Sequence, residues 1–188
     1  EALQKLRPVF DKREGDVTVG NSCQVTDGAS ALLVTSLAKA DQLGLEPLAI
    51  LRSTATAALS PATMGLGPVH ATPLALNRAG ITLADVGVVE RNEAFAAQVL
   101  GCAAAFADDR YCRDVVGLDS AVGELDPAKV NIHGGAIAIG HPIAATGARL
   151  VLTLAHELRQ QGARPVTNMA PGTRKSAGAN VIGATYCY

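Results

Sequence analysis

The sequence predicts an α/β protein built from layers, and three observations predict it. Short apolar runs that read as strands alternate with Ala-rich segments at helical period. Nineteen glycines among 188 residues supply the tight turns and close approaches that layered packing needs. The apolar residues are mostly Ala, Val, Leu and Ile; at 48% of the chain they suffice for a core without any Trp.

The elements follow in order. Asp16-Val17-Thr18-Val19 reads as a short strand ending at the turn residues Gly20 and Asn21. Asp27-Gly28 is a second turn. Residues 30–44 read as strand or helix, with Ala-rich helix favoured towards the end and Gly44 as its stop. Pro47 to Ser53 reads as a strand. Pro73 at an early helical position, followed by Leu74, Ala75, Leu76 and Ala79 before Gly80, reads as a short helix. Val86 to Glu90 is a strand, and Ala96 to Ala107 a helix. Residues 108–128 are polar and turn-rich and read as an exposed excursion. Val130 to His133 is another short strand, and a glycine-rich loop leads from it to Pro142. From Ala144 to Gln161, Leu150, Leu154 and Leu158 recur at i, i+4, i+8, while Arg149, Glu157 and Arg159 are placed towards water and Gly162 ends the helix. A domain boundary falls near Leu45.

Composition excludes several function classes. Formal net charge is −1 with no basic block, so there is no electrostatic footprint for nucleic acid. No apolar run reaches the ~18 residues of a membrane span. None of the four cysteines (Cys23, Cys102, Cys112, Cys187) forms a C-x-x-C pair, which argues against zinc or thioredoxin-like chemistry and for reduced thiols. Cys102 and Cys112 read as ordinary helix and loop thiols. Gly65-x-Gly67 lacks the full dinucleotide fingerprint.

Two loops carry candidate chemistry. Asn92-Glu93-Ala94-Phe95 lies at a strand-to-helix junction, where α/β sheets place sites. Asn92 there is either a helix cap, with Glu93 favouring the dipole, or a site residue. The stretch from His133 to Gly147 is the second. His141, fixed between Gly140 and Pro142, is either a general base or hydrogen-bond donor, or an incidental residue of a packing loop. His133 and His141 lack a carboxylate or Cys at a familiar metal-ligand spacing, so no metal is expected. His156 is placed in solvent. His70, after the Gly65 to Pro68 turn, reads as structural in the first place, with a loop bordering a ligand as the alternative.

Four motifs occur in order: Gly20-Asn21-Ser22-Cys23 through Ala29, Met64-Gly65-Leu66-Gly67-Pro68, Asn92-Glu93-Ala94-Phe95-Ala96-Ala97-Gln98, and Gly134-Gly135-Ala136-Ile137-Ala138-Ile139-Gly140-His141-Pro142. Together they resemble the thiolase family of acetyl-CoA acetyltransferases and 3-ketoacyl-CoA thiolases over roughly residues 1–163. The segment from Phe106 to Glu124 looks like the longer, β-oxidation branch.

The resemblance implies a layered α-β-α-β-α fold. Residues 1–45 would end the N-terminal domain, 46–163 would form the C-terminal domain, and 164–188 would be a tail that departs from the family pattern. It implies that a nucleophilic Cys in the N-terminal half takes the acyl group. His141 would activate it and help hold the thioester oxygen, and Asn92 would position a water at that oxyanion site. Met64, Ala94 and Phe95 would lie near the pantetheine arm of the acyl-CoA substrate. Cys23 stands where many members carry a Ser that contacts that arm. Coenzyme A thioester is then substrate and no cofactor is expected. A homodimer or tetramer is expected of the complete enzyme, in the cytoplasm if bacterial, or else in a mitochondrion or peroxisome.

Both family cysteines are expected to be absent from this chain. A Cys-x-Gly-Gly-Gly should follow Gly162, where the chain instead reads Pro165-Val166-Thr167-Asn168-Met169-Ala170-Pro171-Gly172. From about Arg164 the frame is expected to be shifted or unrelated. The expectation is a thiolase fragment inactive alone and prone to aggregate through exposed apolar surface. The alternative is a non-catalytic module retaining coenzyme A binding or dimerisation.

Overall fold

The computed structural model describes residues 1–160 and the backbone of 179–184. Gly162, the segment from Arg164 to Gly172, and Cys187 lie outside the described residues.

Helix α1 (Leu37–Gln42) starts where Ser36 accepts from the Lys39 amide and closes before Gly44, whose φ of 64° only glycine adopts readily. Strand β1 (Ile50–Thr56) lies three residues later than the sequence suggests. It pairs in parallel with β2 (Ala179–Ala184), with Ile50 opposite Ala179 and Thr56 opposite Ala184. Helix α2 (Gly67–Ala79) packs on this pair. The Ser53 hydroxyl donates to Ala75 O at 2.7 Å, and the Arg78 guanidinium donates to Thr54 O.

Helix α2 is longer than expected. Both Pro68 and Pro73 suit a first turn, since a missing N–H costs nothing there. The helix starts at Pro68's turn and runs through Pro73, leaving the Val69 carbonyl without its usual i+4 donor. Gly80, at φ 72°, ends it as the sequence predicts. Helix α3 (Ala96–Ala107) has the predicted bounds.

Two expected strands shrink. Between Val86–Glu90 and Val130–His133 only one parallel bridge forms, Val89 with Val130. Asn131 turns the chain at once with φ 48°, so no ladder extends. Asp16 to Val19 forms no strand; the Val9 amide donates to Val17 O at 2.8 Å, and the Asn21 side chain takes the Thr18 amide.

The segment 108–128 is not a free excursion. It holds the short helix α4 (Asp109–Tyr111), capped by Asp108, and a wide turn over Cys112–Val116. Tyr111, Val116, Val122 and Leu125 pack against the buried cluster of Val69, Cys102, Ala105 and Phe106. Polar residues on its outer face concealed this inner one. Removing the Phe106 ring would cost about 3–5 kcal/mol.

A single helical turn, α5 (Ala136–Ile139), and then α6 (Ile143–Gln160) complete the described chain. Leu154 and Leu158 of α6 are buried against Val88. His156 is exposed, as predicted. Glu157, expected in water, is instead buried, with His133 Nε2 at 2.7 Å from its carboxylate. Arg149 likewise turns inward, 3.6 Å from a Glu90 carboxylate that is only 1% exposed. A charged residue next to an apolar stripe joins the buried face when a partner waits there.

Candidate active site

Three chain segments converge at the N-terminal end of α6. Residues 21–24 run antiparallel to 94–96: the Cys23 amide donates to Ala94 O at 2.9 Å and the Ala96 amide to Asn21 O at 2.8 Å. The His141 amide then donates to Gln24 O at 2.9 Å. Residues 21–24 therefore bridge the two loops that the sequence marks out.

Those loops also lock directly onto each other. Asn131, buried and in left-handed conformation, accepts from the Arg91 amide (2.8 Å) and donates to Arg91 O (3.0 Å) and Glu93 Oε1 (2.7 Å). The Ile137 amide donates to Glu93 Oε2 at 3.3 Å. Gly135 is needed here because a Cβ would strike the Glu93 carboxylate. Gly140, at φ 91°, lies against the Thr26 side chain where a Cβ would also clash, and Gly28 gives room to the Pro142 ring.

The capping alternative for Asn92 fails. Phe95 occupies the N-cap of α3 and no side chain caps that helix. Glu93 likewise binds Asn131 rather than serving the α3 dipole. Asn92 Nδ2 instead sits 3.4 Å from His141 Nε2, and Asn92 Oδ1 is buried with no partner among the described residues. His141 Nδ1 lies 2.7 Å from Thr146 Oγ1, which lies 3.1 Å from Pro142 O. Burial, and secondly the Arg149 charge, push the His141 pKa below its ordinary 6.5. The imidazole is thus neutral at neutral pH, with Nε2 on the side that faces Asn92: a base beside an amide donor.

Of the other predicted site residues, Cys23, Ala94 and Phe95 are joined to this centre by the backbone pairing above. The Phe95 ring makes an edge contact with Phe10 at 5.9 Å. Burial raises the Cys23 thiol pKa, so this thiol is not activated. Met64 is 44% exposed on a 3-10 turn, Pro61–Leu66, that rests on α3. Gln98 Nε2 and Cys102 Sγ, both of α3, donate to Gly65 O. His70 is structural, 3.2 Å from the Tyr111 hydroxyl. Asn131 and Thr146 escaped the sequence reading. The signal for Asn131 was an Asn three residues before Gly134, the residue type that tolerates positive φ. Among the described residues no group of His, Cys, Asp and Glu could hold a metal, and no helix is long and apolar enough to cross a membrane.

Comparison with known proteins leads to the same family. The family model of the thiolase C-terminal domain matches residues 45–182, and that of the thiolase N-terminal domain matches 1–38. A 3-ketoacyl-CoA thiolase of Yersinia enterocolitica is 51% identical over 163 residues, which is 86% of this chain and 37% of the relative. One from Yersinia pestis is 52% identical over 159 residues, 84% of this chain and 36% of the relative. The chain thus spans little more than a third of the length of these relatives. Among solved structures, the human mitochondrial 3-ketoacyl-CoA thiolase superposes with a TM-score of 0.71 at 40% identity, covering 86% of this chain and 36% of that one. The Bacillus anthracis acetyl-CoA acetyltransferase gives 0.71 at 37%, with the same coverages. The α/β fold is therefore that of these enzymes, and the chain belongs to the thiolase family.

Proposed function

We propose that this chain supplies the base and oxyanion side of a site that moves acyl groups between coenzyme A thioesters, by thiolysis or Claisen condensation of 3-ketoacyl-CoA. The observation that carries the proposal is the meeting of Asn92 Nδ2 and His141 Nε2 at 3.4 Å. The acyl-accepting thiol would come from the part of the relatives' length that lies outside this chain. His141 Nε2 takes the proton of that thiol, and the thiolate attacks the thioester carbonyl. Negative charge developing on the carbonyl oxygen is met by the Asn92 amide, by water held on it, and by the newly protonated Nε2–H. Collapse of the adduct expels the coenzyme A thiolate, which recovers the proton from His141. Met64, Ala94, Phe95 and Cys23 border the arm of the substrate in this reading.

In the same reading the chain alone does not turn over, and the complete enzyme acts as a homodimer or tetramer, in the cytoplasm if its source is bacterial. The test is acyl transfer by the chain joined to the N-terminal portion of the Yersinia enterocolitica relative. Acetyl-CoA should acylate the fusion and release one thiol per site, and His141→Asn should slow this about a hundredfold or more. A folded fusion that binds coenzyme A without acylation would reject the catalytic role and favour a binding module.

A further inference from the structure

We infer that Thr146 is a positioning residue that sets the tautomer of His141, holding the ring proton on Nδ1 so that Nε2 presents a bare lone pair to the site. This deepens the proposed function and rests on His141 being its base.

Two independent geometries lead to it. The Thr146 side chain is buried in the first turn of α6, at 2% exposure. Its Oγ1 lies 3.1 Å from Pro142 O, four residues back, and a helical Thr hydroxyl donates to that carbonyl. A hydroxyl has one proton, so with it committed to Pro142 O the oxygen can only accept. His141 Nδ1, 2.7 Å away, must then bring the hydrogen. From the other side, Asn92 presents Nδ2, a donor with no lone pair, to Nε2 at 3.4 Å. A neutral imidazole that accepts at Nε2 carries its proton on Nδ1. The hydrogen bonds therefore run one way, from Asn92 through His141 and Thr146 to Pro142 O. Without the Thr146 acceptor no other described residue bonds Nδ1; only the Asn92 amide then opposes the Nε2–H form, which cannot take a proton from a thiol at that atom.

The test reads the tautomer directly, by imidazole nitrogen NMR of the 15N-histidine-labelled chain at about pH 8, above the imidazole range. The His141 signal is identified by its loss in His141→Asn. The wild type and Thr146→Ser should show His141 mainly as Nδ1–H. Thr146→Val, which keeps the shape and removes the hydroxyl, should lower the ratio of Nδ1–H to Nε2–H about fivefold, the size one neutral hydrogen bond supports. A wild type with the proton on Nε2 overturns the inference, as does a Thr146→Val ratio equal to that of the wild type. The wild-type spectrum decides even where Thr146→Val does not fold. Because no turnover is needed, an Nδ1–H tautomer in a fusion inert to acyl transfer would sink the catalytic reading and leave this one standing.

Discussion

Asn92 Nδ2 and His141 Nε2 lie 3.4 Å apart although 49 positions separate them in the chain. The backbone at each residue is fixed from elsewhere in the chain. The Asn131 side chain fixes the loop before Asn92, and Gln24 O fixes the backbone of His141.

In the fused enzyme, His141→Asn should lower acyl transfer about 10²–10⁴-fold by removing the base. Asn92→Ala should lower it about 10²–10³-fold, the usual loss for one oxyanion donor. Single-turnover thiol release measures both. The same thermal melts as the parent would show that the loss is chemical; equal rates for Asn92→Ala and parent would remove Asn92 from the mechanism.

Asn131→Ala should destabilise the fold by about 3 kcal/mol, because three hydrogen bonds go and Ala dislikes φ 48°. Asn131→Gly relieves the backbone and should recover part of that loss. Urea midpoints of the two variants give the comparison. Equal midpoints would mean that the side-chain bonds to Arg91 and Glu93, rather than φ, carry the whole effect.

Gly140→Ala should be more damaging than its one added carbon suggests. The φ of 91° and the Thr26 side chain both oppose a Cβ. Since Gly140 precedes His141, acyl transfer should fall along with stability. Thr26→Ala removes the two nearest atoms but leaves its own Cβ 2.9 Å from the new one, so with the backbone strain it should rescue Gly140→Ala only in part.

Glu90 and His141 should tilt stability with pH in opposite ways. Burial raises the Glu90 pKa above 4.5, against the opposing charges of Arg149 and His133. Its folded form holds the proton more tightly than the unfolded chain. That contribution is complete below about pH 4.5 and is lost as pH rises through the raised value. His141, pushed below 6.5 by burial and Arg149, contributes above about pH 6.5 and loses this as pH falls towards its lowered value. Glu90→Gln should remove the first slope and His141→Gln the second, in urea midpoints taken from pH 4 to 8. An unchanged slope in Glu90→Gln would show that its carboxyl is not what titrates.

Of Cys23, Cys102 and Cys112, only Cys23 should react with iodoacetamide in the native chain. The other two are fully buried, whereas Cys23 is partly exposed. Its raised pKa should make even that reaction slow at neutral pH. Peptide mass mapping after brief labelling reads the outcome, and early labelling of Cys102 would contradict the packing around Val69 and Phe106.

Much of this was legible in the chain because it is local. Ala96 to Ala107 is helical by composition, and the leucine repeat of residues 150–158 marks the buried stripe of α6. Gly44 and Gly80 end helices through their own torsions. The motifs around Asn92 and His141 named the family and the two loops. What the sequence could not fix is whatever depends on a partner far along the chain. Val86 to Glu90 has the pattern of a strand, yet a ladder needs a neighbour, and Asn131 turns that neighbour away after one bridge. Asn92 has the identity of a cap, yet the helix starts three residues later and its amide goes to His141. Arg149 and Glu157 have the character of surface residues until Glu90 and His133 give them buried partners. Sequence alone determined the family, helices α3 and α6 and the two loops of the candidate site, since torsional preference and apolar period act within a few residues. Only the tertiary structure decided which polar atoms meet, because a hydrogen bond at 3 Å is set by the packing of every element between its ends.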